Sequence, residues 1–173
     1  MIYLDNAATT RPEDCVLEAA DRYLKEQFYN PSALYAEGYN LHLKLEEARR
    51  SILSYVADPD EYSLTITSCG TEADNQVIFC GGRRGNIVTT MGEHAAVFAA
   101  AQEAGRRGVE ARFAPLNPDG SVNEEELLKL VDEKTSIVSV IHINNETGAI
   151  NDINSLAKKV KAKNPRTLFH SDG

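Results

Sequence analysis

Ser136-Ile137-Val138-Ser139-Val140-Ile141 is the stretch whose reading decides the fold. Apolar β-branched residues fill it with no polar alternation, the pattern of a strand covered on both faces at the centre of a parallel sheet. Its neighbours have helical spacing: Glu124 to Val131 upstream and Ile153 to Ala162 downstream. Further out, the alternation continues. Ser63–Thr67, Asn86–Thr89, Glu110–Ala114 and Thr167–His170 read as strands, and Glu72–Phe79 and Glu93–Ala104 as helices. Strands separated by helices imply βαβ crossovers, hence an α/β fold with a mainly parallel sheet and helices on both faces. Before this region, Asp14–Phe28 and Leu41–Val56 are expected to be helices, with a break at Tyr29-Asn30-Pro31-Ser32. The expected organisation is an N-terminal arm with helices over residues 1–60 and an α/β domain over 61–173, or the two as one continuous domain.

Composition narrows the function classes. The 173 residues carry 26 acidic against 18 basic side chains, a net charge of −8, which argues against nucleic-acid or anionic-membrane partners. No apolar run is long enough to span a bilayer, and the N-terminus lacks a signal-peptide pattern. Three cysteines without a Cys-x-x-Cys motif suit a reducing, cytoplasmic setting. Lys158, Lys159, Lys161 and Lys163 read as a solvated helix end.

In open α/β sheets ligands sit beyond the carboxyl ends of the strands. Four loops qualify: Ser68–Thr71, Thr90–His94, Asn144–Gly148 and His170–Gly173. The first joins a strand to a helix through Gly70, so its amides, with the Ser68 and Thr71 hydroxyls, suit a phosphate or simply form a capped turn. His94 lies at a helix start, where its ring either faces the same crevice or is a surface imidazole near a cap. The run from Asn144 to Gly148 offers amide groups or is a polar turn, and Asp172 is an acid suited to a cationic ring or a solvated carboxylate. His142 reads as a packed sheet residue. Because Glu93, His94, His142, His170 and Asp172 show no metal-ligand spacing, no metal is expected.

Taken in order, Tyr3–Thr10, Asn30-Pro31-Ser32, Thr67–Asn75, Glu93-His94, His142–Gly148 and His170–Gly173 resemble the cysteine desulfurases (NifS-like) of the class-V aminotransferase group. The resemblance spans the whole chain. It implies the large domain of a fold-type I pyridoxal-phosphate enzyme, truncated to its N-terminal part. It further implies Gly70 and Thr71 around the cofactor phosphate and His94 stacked on its ring with a catalytic part in proton transfer. Asn145 would bond the ring hydroxyl and help seat the substrate carboxylate, and Asp172 would pair with the ring nitrogen. The implied reaction converts L-cysteine to L-alanine and passes sulfur to an enzyme cysteine, then to an acceptor or scaffold protein for iron–sulfur cluster or related biosynthesis. Homodimerisation or self-association is also implied. The chain departs from the family in lacking the Schiff-base lysine, the persulfide cysteine and the carboxylate-binding arginine, so it is expected to be inactive alone. The alternatives are a non-catalytic binding or assembly module, or another class-V enzyme such as a selenocysteine lyase or an aminotransferase.

Overall fold

The computed structural model describes residues 2–6 and 8–173 and divides into two compact units, Met1–Ile66 and Thr67–Gly173. Ala7, within the Tyr3–Thr10 run, lies outside the described residues. Among those residues no helix is long and apolar enough to cross a membrane.

The first unit contains α1 (Asp14–Lys25) and α2 (Ala36–Leu53). Helix α1 stops before the expected Phe28, where Glu26 closes the last turn on the Arg22 carbonyl. Helix α2 starts earlier than the apolar stripe suggested, because Gly38 is needed there for close approach rather than as a breaker. A Cβ at that position would meet the Asn30 carbonyl at 2.7 Å and the Ala33 Cβ at 2.9 Å. Ser63–Thr67, expected as a strand, forms none. Its composition favours extended backbone, but a strand needs a ladder partner, and no described strand pairs with it.

The second unit is an α/β sheet of four parallel strands in the order β2-β1-β3-β4. Along the chain run α3 (Gly70–Gly82), β1 (Asn86–Thr90), α4 (Ala95–Arg106), β2 (Ala111–Ala114), α5 (Glu124–Leu130), β3 (Thr135–Ser139), α6 (Ile153–Lys163) and β4 (Leu168–His170). Strand β3 lies between β1 and β4, and Thr135, Ile137, Val138 and Ser139 are buried. Successive side chains point to opposite faces. Ile87 and Ile137 therefore pack with Ile78, Val97 and Ala101 of α3 and α4. Val88 and Val138 instead pack with Leu127, Leu156 and Val160 of α5 and α6. Each face carries its own apolar layer, as expected for helices on both sides. Two helices begin with conventional caps: Asn123 accepts the Glu126 amide at 3.1 Å and Asp152 the Ser155 amide at 3.0 Å.

The β3–β4 pairing continues past the named strands. The Val140 N–H donates to the His170 carbonyl at 3.1 Å and the His142 N–H to the Asp172 carbonyl at 2.8 Å. That extension carries Asp172 to the carboxyl end of the sheet. It also shows why the apolar run to Ile141 reads as one strand although β3 ends at Ser139. Since Ile137 is fully buried between β1, β4 and α3, Ile137→Ala is expected to cost about 3 kcal/mol of stability. Urea denaturation followed by circular dichroism measures this, and a loss below about 1 kcal/mol would be inconsistent with a central packing role.

Candidate functional site

The chain leaves β1 for β2 on one side and later returns to β3 on the other. Connections therefore diverge between β1 and β3, opening a crevice at their carboxyl ends. A cavity of about 340 Å³ lies there, lined by Gly70, Thr71, Asp74, His94, Ile141, Ile143, Asn145, Asp172 and Gly173. It contains all five residues singled out from the sequence: Gly70, Thr71, His94, Asn145 and Asp172. Among the described residues, no lysine lines it.

Each wall has a local cause. Glu72 folds back on the loop before α3, where its Oε2 accepts the Ser68 N–H at 2.8 Å and the Ser68 hydroxyl at 2.6 Å. The Ser68 hydroxyl expected to face a ligand is thus committed to Glu72, and those bonds hold the Glu72 carboxyl below its ordinary pKa. No side chain caps the start of α3 at Cys69, and a Cβ built at Gly70 would meet nothing within 4 Å. The first turn of α3 therefore opens to the cavity with amides, the Thr71 hydroxyl and the positive end of the helix dipole. Cys69 itself is exposed, and the Glu72 amide and Ser68 hydroxyl pull its thiol below the ordinary value.

On the opposite wall, the two consecutive asparagines divide their work. Asn144 Nδ2 donates to the Gly92 carbonyl at 2.8 Å, and its Oδ1 accepts the amides of Glu146 at 2.9 Å and Thr147 at 2.8 Å. Asn144 builds the loop. That leaves the Asn145 side chain exposed on the rim of the cavity.

Two acids that sequence reasoning gave no role complete the site. Asp74, one turn into α3, is 5% exposed, and burial, then the charge of Asp172, pushes its carboxyl up, opposed by His170 and His94. Its closest ion-pair contact is His170 Nε2 at 3.6 Å, while His170 Nδ1 lies 2.9 Å from Ser139 Oγ. Burial pushes the His170 ring down towards the neutral imidazole, against the smaller opposing pull of the Asp74 and Asp172 charges. Asp74, His94 and Asp172 bring ligand-type atoms within 4.8 Å of one another. Glu93 lies beneath them. Its Oε1 accepts the Thr90 hydroxyl at 2.6 Å and the Ile141 amide at 3.1 Å, whereas its Oε2 is buried without a partner among the described residues. Of the two, Glu93 had a signal in the sequence, since it directly precedes His94.

The aminotransferase class-V family matches residues 2–173. The chain is similar to the cysteine desulfurase NifS of Azotobacter vinelandii, at 32% identity over 99% of the chain and 43% of that relative. It is also similar to the cysteine desulfurase IscS of Dictyoglomus turgidum, at 36% identity over 99% of the chain and 44% of that relative. A solved NifS-like protein superimposes with a TM-score of 0.89 and 35% identity, over 99% of the chain and 48% of its own. The chain thus spans less than half the length of these relatives.

Burial pushes the Glu93 carboxyl up to about 7 from 4.5, with smaller contributions from the charges of Asp172 and Asp74 and opposing bonds from Thr90 and Ile141. A carboxyl raised on folding keeps its proton longer in the folded chain, so its contribution is fully present below the unfolded value and lost as pH rises through the folded one. Between pH 4.5 and about 7 this group is expected to remove roughly 3 kcal/mol of stability. In Glu93→Gln that part of the decline should vanish. Urea titrations across this range measure the difference, and parallel pH profiles for the two proteins would contradict it.

Proposed function

Because the chain belongs to the aminotransferase class-V family, we propose that it is the cofactor-binding part of a pyridoxal-phosphate-dependent cysteine desulfurase. The observation that carries this reading is the convergence of Gly70, Thr71, His94, Asn145 and Asp172 on one cavity. The donor set fits the cofactor. An uncapped helix start with an adjacent hydroxyl suits its phosphate. The carboxylate of Asp172, across the cavity, suits a protonated ring nitrogen. When bound, pyridoxal phosphate would supply an electron sink for a carbanion at the substrate carbon.

The chain's own residues would hold and orient it. The amides of Gly70 and Thr71 and the Thr71 hydroxyl would take the phosphate, and Asp172 would keep the ring nitrogen protonated. His94 would lie over the ring and take part in proton transfer, while Asn145 would bond the ring hydroxyl and the substrate carboxylate. L-cysteine is the proposed substrate of the whole enzyme, L-alanine its product, and a persulfide the carrier of sulfur towards an acceptor protein. The names and sequences of the relatives support this over a selenocysteine lyase or a transaminase. The exposed free thiols of Cys15, Cys69 and Cys80 fit a reducing, cytoplasmic setting. Self-association, most simply as a homodimer, is supported by exposed apolar side chains on α1 and α2, among them Leu24, Tyr39 and Leu43.

With no lysine at the cavity, the chain by itself is proposed to bind the cofactor without turning over cysteine. Titration with pyridoxal phosphate, followed by absorbance and fluorescence, is expected to show binding that Thr71→Ala weakens by about 1 kcal/mol, roughly fivefold. Equal affinity in the two proteins would remove Thr71 from the phosphate site. Incubation with the cofactor and L-cysteine is expected to yield neither alanine nor sulfide, and sustained turnover by the chain alone would overturn the division between binding and catalysis.

A further inference from the structure

His94 caps α4 in an uncommon way. Its backbone is extended, with φ −57° and ψ 150°, and its ring Nδ1 accepts the Ala96 N–H at 3.2 Å. The usual capping residues are Ser, Thr, Asp and Asn, whose oxygens accept without choosing a protonation state. An imidazole differs. The nitrogen that accepts must keep its lone pair, so the single proton of the neutral ring lies on Nε2.

A second observation concerns what the ring faces. Asp74 lines the same cavity, is almost fully buried, and accepts no hydrogen bond among the described residues. Asp74 and Asp172 both place carboxylate oxygens within 4.8 Å of a His94 ring nitrogen. A carboxylate of the pair only accepts. It presents a demand for a donor that an Nε2–H can meet and an Nε2 lone pair cannot.

We propose that the Ala96 amide locks His94 as the Nε2–H tautomer, so that the ring offers the cavity a hydrogen-bond donor. One consequence follows. A cation cannot use Nε2 as a ligand while the cap is intact, so the Asp74–His94–Asp172 cluster selects an acceptor-bearing molecule, such as one with a carboxylate or phenolate oxygen, rather than a metal. This inference rests on the cap geometry and not on the proposed cofactor, and it survives if pyridoxal phosphate fails to bind.

Long-range ¹H–¹⁵N correlation of the histidine rings at mildly alkaline pH tests it, with His94 assigned as the pattern absent from His94→Gln. The expected spectrum has a protonated Nε2 and an unprotonated Nδ1, with no second tautomer. A ring protonated at Nδ1 would overturn the proposal. Ala96→Pro removes the donating N–H in the first turn of α4, and folding is checked by circular dichroism. In the folded variant both tautomers are expected, and an unchanged single tautomer would overturn the lock. Should the variant not fold, the Ala96 amide of the parent chain gives the same answer. A ¹⁵N–¹⁵N coupling through the hydrogen bond from the Ala96 amide to His94 Nδ1 is expected, and its absence would overturn the lock.

Discussion

The backbone of Ile141, just past the end of β3, is held by one side chain from the loop after β1 and one from the far end of its own loop. Glu93 Oε1 accepts its N–H at 3.1 Å, and Asn151 Nδ2 donates to its carbonyl at 2.8 Å. Asn151 Oδ1 in turn accepts the Val122 amide at 2.9 Å. These bonds fasten the loop after β1, the loop after β3 and the loop before α5 at the point where the central strand leaves the sheet. Buried backbone groups must find partners, and here they find them in side chains that bring His94 and Asn145 to the same crevice. The β-ladder completes the arrangement by carrying Asp172 alongside His142.

This construction gathers acids. The charge of Asp172 helps to raise the carboxyls of Asp74 and Glu93; His170 and His94 oppose it at Asp74, and the bonds from Thr90 and Ile141 oppose it at Glu93. Taking carboxylates out of water beside other carboxylates disfavours the charged form, which is why burial dominates the shifts of Asp74 and Glu93. Such a cavity suits a ligand bearing positive charge near Asp172 and negative charge at the opposite helix start. A zwitterionic heterocycle with a phosphate arm has that distribution. This is the charge distribution of the cofactor proposed above.

Much of this was legible in the sequence. The run from Ser136 to Ile141 identified the central strand because both its faces are buried, and the four loops followed from where strands give way to helices. Three features were not legible. Ser63–Thr67 has strand composition, but pairing depends on a neighbour that composition cannot reveal. Ser68 and Thr71 look equivalent as hydroxyl donors until Glu72 folds back and occupies one of them. Asp74 reads as an ordinary helix carboxylate, and only the packing of α3 against the sheet buries it in the cavity.

The central claim is that these residues form one binding site for pyridoxal phosphate. A crystal structure of the chain grown with that cofactor tests it most directly. The account predicts the phosphate at the first turn of α3 against Gly70 and Thr71, the ring beneath His94 and the ring nitrogen at Asp172. A cofactor lodged elsewhere, or bound with its phosphate away from α3, would contradict it.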